Sequence, residues 1–98
     1  LIVTFSDHGR KQAALQSTQS QIDVIKGRIS AQEAERITAA REAERYRKLA
    51  KTSAVSIARK EEAENRLNQA VANIRALNAE LSATNAQVKL AEEEVKQT

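Results

Sequence analysis

Apolar side chains recur at alternating intervals of three and four residues along two long segments of this chain. Eight of eleven positions of this repeat are apolar in the first segment, and nine of eleven in the second. The first set is Leu15, Thr18, Ile22, Ile25, Ile29, Gln32, Arg36, Ala39, Ala43, Tyr46 and Ala50. The second set is Lys60, Ala63, Leu67, Ala70, Ile74, Leu77, Leu81, Thr84, Val88, Ala91 and Val95. These positions, called the seam below, predict two helices that pack through heptad positions a and d.

The break between the two segments reads Lys-Thr-Ser-Ala-Val-Ser, a run of poor helix formers and of side chains that hydrogen-bond their own backbone. If the chain reverses near Ser53, Ile25 faces Leu81 and Ile29 faces Leu77. Each pair then joins an a position to a d position, as an antiparallel pair requires. The sequence therefore predicts an all-α, antiparallel coiled-coil hairpin.

The predicted hairpin covers residues 6–98, with a first helix at about 7–51, a tip at 52–55 and a second helix at about 56–97. Ser56 is the predicted N-cap of the second helix, because its hydroxyl can satisfy a free backbone N–H. Residues 1–5, Leu-Ile-Val-Thr-Phe, are β-branched or aromatic. They predict a short strand that belongs to a flanking domain.

Gln32 and Arg36 interrupt the first half of the seam, opposite Ile74 and Ala70. The simpler interpretation is that the stem of Arg36 covers Ala70 with its charged end in water, while Gln32 fixes the register. A buried functional charge is the alternative.

Composition argues against a compact globule and against catalysis. Only 2% of the residues are aromatic, 41% are hydrophobic, and Cys is absent. His8 is the only His, and a solvated side chain is its simplest interpretation. No catalytic, cofactor-binding or metal-binding set can be assembled, so we expect neither enzyme activity nor a cofactor. The net charge of +3 comes from interleaved acidic and basic residues, which does not indicate nucleic acid binding.

Positive charge is concentrated around the predicted tip. Six basic residues and no acidic residue occur between positions 45 and 60: Arg45, Arg47, Lys48, Lys51, Arg59 and Lys60. This end of the hairpin is suited to an acidic surface. Leu49 and Arg45 are four residues apart and stack on one helix face outside the seam. They form either a contact pair, or a solvated Arg beside a Leu that closes the end of the seam.

Arg45, Leu49 and Ser56 have the spacing R-x3-L-x6-S, and this stretch resembles the hairpin tip of periplasmic adaptor proteins. These adaptors, also called membrane fusion proteins, belong to tripartite efflux pumps and type I secretion systems. The resemblance covers the whole chain as a hairpin, with residues 1–5 as a strand of a lipoyl-like domain. One difference is Ser53, which stands where many relatives have Gly.

The resemblance implies a set of partners. Arg45, Leu49 and Ser56 would contact a TolC-like outer-membrane channel, supported by the other basic residues of the tip. Neighbouring adaptors, commonly six, would bundle their hairpins, and other domains would reach an inner-membrane transporter. The implied location is the periplasm, with the parent protein attached to the inner membrane of a Gram-negative bacterium.

Two other functions fit the same pattern. A structural coiled-coil spacer or arm would need the seam but not the tip. A basic module for nucleic acid or an anionic membrane is less well matched, because the outer faces carry interleaved Glu and almost no aromatic side chains.

Branched apolar residues also occur outside the seam. Val24, Ile37, Val71 and Leu90 lie at c, b, e and c positions, where a single hairpin would leave them partly exposed. They predict lateral contacts between neighbouring hairpins.

Overall fold

Two α-helices make up the fold. The computed structural model describes residues 2–97, with side chains from residue 7 onwards. Helix α1 spans Ile2–Leu49 and helix α2 spans Ala54–Lys96, joined by a turn at residues 50–53. They form an antiparallel hairpin, which confirms the predicted fold class.

The hairpin divides into two compact units, each built from a segment of both helices. One unit combines Leu1–Gly27 with Asn78–Thr98, and the other is Arg28–Leu77. The second unit contains the turn, and therefore all the residues that the sequence assigns to the tip.

The heptad seam is confirmed by burial, because every seam position in both helices is buried or half-buried. The same spacing continues to Ser56 in α2 and to His8 and Lys11 in α1, which are also half-buried. The expectation of a solvated His8 is thus only partly right. Small residues dominate the buried set, which consists of Ile25, Ala39, Ala43, Ala63, Ala70 and Thr84. Alanine at a helix contact permits a short distance between helix axes.

Polar seam residues satisfy their hydrogen bonds without disturbing the packing. The hydroxyl Oγ1 of Thr84 donates to the carbonyl of Glu80 at 2.9 Å, one turn earlier in the same helix. Across the helices, Nδ2 of Asn73 donates to Oε1 of Gln32 at 3.1 Å. This bond supports the predicted register, which places Gln32 opposite the residue that follows Asn73. The side chain of Arg36 is half-buried, and its Nη2 lies 2.9 Å from Oε2 of Glu33.

The predicted strand at residues 1–5 is wrong for the residues that the structure describes. Helix α1 already begins at Ile2, and residue 1 lies outside the described residues. Strand propensity depends on packing against a neighbouring strand. With no such neighbour among residues 2–97, continuing the helix satisfies one more backbone hydrogen bond per residue.

The turn lies two residues earlier than predicted. Helix α1 ends at Leu49 rather than at 51, and α2 begins at Ala54 rather than at 56. The backbone N–H and the hydroxyl of Thr52 both donate to the carbonyl of Leu49, at 3.0 and 2.9 Å. These bonds satisfy an orphan carbonyl at the end of α1. No residue between 2 and 97 has a positive φ, so Ser53 in place of Gly causes no backbone strain.

Ser56 is not the N-cap of α2, in contrast to the prediction. The backbone N–H of Ile57 donates to the carbonyl of Ser53 at 3.2 Å, the first bond of the helical pattern. Ser53 therefore occupies the N-cap position, and Ser56 lies within the first turn. Both serines are good N-caps by residue type. The sequence analysis chose Ser56 because it assigned Ala54 and Val55 to the turn.

Candidate functional site

The turn brings the last residues of α1 and the first residues of α2 to the same end of the unit Arg28–Leu77. We define the tip surface as residues 45–60. All eight residues predicted to contact a partner or to support that contact lie in this stretch. Its backbone is fixed by the bonds from Thr52 to the Leu49 carbonyl.

Arg45 is exposed and lies over the ring of its neighbour Tyr46. The guanidinium carbon is 5.0 Å from the ring centroid, a cation–π distance. Nη2 of Arg45 also donates to the Tyr46 hydroxyl at 3.4 Å. Hydrogen bonds from Arg45 and then from Arg59 favour the phenolate and lower the pKa of Tyr46. Arg45 is therefore oriented by its own helix, which the sequence analysis did not anticipate.

Leu49 is the last residue of α1, and 47% of it is exposed. Its backbone carbonyl accepts the bonds from Thr52, while its side chain lies outside the seam. The structure thus supports an accessible Leu49 over a Leu that closes the seam.

Two further apolar side chains are exposed at the start of α2. Val55 is 67% exposed and Ile57 is 44% exposed, whereas Ser56 between them is half-buried in the extended seam. The sequence analysis missed both residues because it assigned Val55 to the turn and placed the start of α2 at Ser56, directly before Ile57. The available signal was their c and e positions on either side of a seam residue.

The supporting basic residues differ in their pairing. Arg47 forms ion pairs with Glu44 at 2.8 Å and with Glu64 at 4.0 Å, so its charge is largely compensated. Among residues 7–97, no ion pair to a carboxylate is recorded for the other basic residues of the tip: Arg45, Lys48, Lys51, Arg59 and Lys60. Lys60 is half-buried at its seam position, and the other four are exposed. The tip surface therefore keeps most of the positive charge that the sequence predicted.

Arg66 of α2 connects the two helices through ion pairs with two glutamates of α1. Its Nη2 lies 2.7 Å from Oε1 of Glu35, and its Nη1 lies 2.8 Å from Oε2 of Glu42. The hydrogen bond to Glu35, followed by the charges of Glu35 and Glu42, raises the pKa of Arg66 above its ordinary value. These two ion pairs join α2 to α1, and the sequence analysis did not predict them.

The tip surface offers two kinds of chemical group for contact. Exposed branched side chains can enter an apolar groove, and the unpaired cations can meet carboxylates or carbonyls. Among the described residues, no group of His, Cys, Asp and Glu side chains could hold a metal ion. Within the same range, neither helix has a stretch apolar enough to cross a membrane.

No protein-family model, curated protein or solved structure matches this chain. The functional assignment therefore depends on the residues of the tip and on their geometry.

Proposed function

We propose that this chain is the α-helical hairpin of a periplasmic adaptor, and that its tip docks onto a TolC-like outer-membrane channel. In this function the adaptor bridges the channel to an inner-membrane transporter, for efflux or for type I secretion. The observation that carries the proposal is the exposure of Arg45 and Leu49, one helical turn apart, beside the turn of the hairpin. These are two of the three residues in the spacing R-x3-L-x6-S.

Leu49 supplies the apolar part of the contact and Arg45 the directional part. A half-exposed Leu at a helix end can be buried by a partner without disturbing the seam. Arg45 offers several N–H donors for a charge-assisted hydrogen bond, and its stacking on Tyr46 limits the conformational freedom lost on binding. Arg side chains of this kind are frequent interface hot spots.

The proposal is tested with two pairs of matched variants. Leu49→Ser is compared with Thr38→Ser, which places serine at another exposed position of α1, outside the residues predicted for lateral contact. Arg45→Asp is compared with Arg75→Asp, which reverses an exposed charge in α2. Circular dichroism measures folding, and biolayer interferometry measures binding of a purified TolC-like channel in lipid nanodiscs. Export is measured in cells that carry the parent protein.

We expect the two tip variants to remain helical and to lose channel binding and export. The two control variants should behave as the unmodified chain. Full binding and export by folded Leu49→Ser and Arg45→Asp would contradict the docking function. That result would favour the structural spacer, for which the Ala-rich seam is sufficient.

Lateral assembly is a separate part of the proposal, in which neighbouring adaptors, six in a ring, contact each other through the outer helix faces. Three of the four apolar residues expected there are exposed: Val24, Ile37 and Leu90 at 55, 43 and 63%. Val71 is half-buried and offers less surface. Cysteine pairs placed on these faces should cross-link neighbouring adaptors in the assembled pump. Cross-links confined to the tip would count against lateral assembly.

Periplasmic location is tested by protease access in spheroplasts.

A further inference from the structure

Val55 and Ile57 form an exposed apolar pair in the first turn of α2. They are 67% and 44% exposed, on either side of the half-buried Ser56. Their c and e positions lie outside the seam, and the exposed part of each side chain gains nothing from the folding of the hairpin. Together with Leu49 they place three branched side chains around one turn.

The charges around this apolar pair indicate what kind of surface could cover it. Lys48, Lys51 and Arg59 are exposed, and within residues 7–97 they form no ion pair with a carboxylate. Residues 45–60 contain no acidic side chain. A complementary surface therefore has an apolar groove at its centre and carboxylates at its rim.

A protein groove fits this pattern better than an anionic lipid surface. Helices that lie in the membrane interface usually insert Trp or Phe along with their aliphatic residues. The chain has no Trp, and its single Phe is Phe5. The only aromatic ring of the tip surface, Tyr46, has the guanidinium of Arg45 over its face.

We propose that Val55 and Ile57 are apolar anchors through which the α2 side of the tip binds an acidic-rimmed groove of the partner channel. The inference rests on the proposed function, because it takes the docking partner from it. It adds two contact residues that the spacing R-x3-L-x6-S does not include. In this inference both helices contribute to the apolar contact, α1 through Leu49 and α2 through Val55 and Ile57.

The test compares similar substitutions at different places. Val55→Ser is compared with Thr38→Ser, because both residues are β-branched, occupy exposed c positions, and Thr38 is not among the residues predicted for lateral contact. Serine, threonine and valine have similar helix propensities, so neither change should alter folding. Ile57→Ser and Leu49→Ser complete the set. Binding of each full chain is measured against the TolC-like channel in nanodiscs and against vesicles of phosphatidylglycerol and phosphatidylcholine.

The expected result is about a tenfold increase in Kd for the channel with Val55→Ser and with Ile57→Ser, the usual effect of losing an interface anchor. Thr38→Ser should bind as the unmodified chain does. If only Leu49→Ser lost binding, the inference would be overturned while the docking function remained. If none of the tip variants lost binding, both would be overturned. Vesicle binding that depends on Val55, with channel binding unchanged, would identify a lipid surface and overturn the choice of a protein groove.

The acidic rim is tested separately by salt and by charge. Raising NaCl from about 0.05 to about 0.5 M should slow association with the channel, because exposed charges are then screened. Lys51→Gln should reduce this salt dependence more than Arg47→Gln does, since Arg47 is already paired with Glu44 and Glu64. Equal salt dependence for both variants and the unmodified chain would overturn the acidic rim.

Discussion

Ile25→Ala gives the sharpest test of the seam, because Ile25 is the largest side chain in the buried set. Only 3% of Ile25 is exposed, whereas the preceding residue, Val24, is 55% exposed. A helix turns by about 100° per residue, so these neighbours must face different surroundings if the seam is correct. The same truncation at the two positions should therefore have very different effects on the free energy of unfolding.

The magnitude can be worked out from the surroundings of Ile25. Truncating a fully buried Ile to Ala costs about 2 to 5 kcal/mol, with the spread set by how far the site can collapse. The seam residues Ile22 and Leu81 of the same unit are only half-buried and can move towards the gap, which favours the lower end of this range. Alanine also has a higher helix propensity than isoleucine, which returns about 0.4 kcal/mol. We expect a net loss of about 2 kcal/mol for Ile25→Ala.

Urea unfolding followed by circular dichroism measures this difference, provided that the slope m is unchanged between variants. Val24→Ala is the control, and its effect should lie within about 0.5 kcal/mol of zero, as for other surface substitutions. Equal effects at the two positions would refute the seam as the source of stability. A larger loss for Val24→Ala than for Ile25→Ala would mean that the face assignment of α1 is wrong.

Three other substitutions test the helices and the turn. Gly27→Ala should raise the free energy of unfolding by about 1 kcal/mol in a urea titration, because an added Cβ would meet nothing within 4 Å and the φ angle is negative; no gain would contradict a regular helix at Gly27. Thr52→Val should lower the urea midpoint and reduce the free energy of unfolding by about 0.5 to 1.5 kcal/mol, because it removes the hydroxyl that donates to the Leu49 carbonyl. Thr52→Ser keeps a hydroxyl at this position and should keep the stability. Ser56→Ala should leave stability unchanged or raise it by up to about 0.5 kcal/mol in thermal melts, since Ala is the better helix former; a clear loss would restore the N-cap role of Ser56.

The heptad repeat allowed the seam to be predicted because helix burial is a local, periodic property. Side chains at a and d must face the partner helix wherever the helix is regular, whatever their identity. Even Thr84 and Arg36 followed the repeat, with their polar groups bonded within their own helix. The heptad repeat also predicted approximately where the chain reverses direction, and this position identified the residues of the tip.

The helix ends could not be read with the same accuracy, because several boundaries satisfy similar local rules. Ser53 and Ser56 are equally good caps by residue type, and only the backbone bond from Ile57 to Ser53 distinguishes them. Residues 2–5 have strand-forming side chains, but strand formation needs a partner that sequence alone cannot supply.

Contacts across the helices were hidden for a different reason. Arg66 reaches Glu35 and Glu42, which lie 31 and 24 residues away in sequence. The rules for pairs three or four residues apart describe one helix surface, and long side chains at the edges of a seam have several possible partners. The exposure of Val55 and Ile57 was not predicted either, although their c and e positions indicated it, because the second helix was expected to begin at Ser56 rather than at Ala54.

We expect fold and proposed function to be separable at the tip because of how this hairpin is stabilised. Its buried residues are mostly alanines, each of which buries little area, and the heptad spacing alone places them against the other helix. On the surface, Arg66 adds ion pairs that join the two helices. The side chains of Leu49, Val55 and Ile57 belong neither to the buried set nor to the Arg66 ion pairs. We therefore expect substitutions at these three positions to leave the hairpin folded and to weaken binding of the proposed channel.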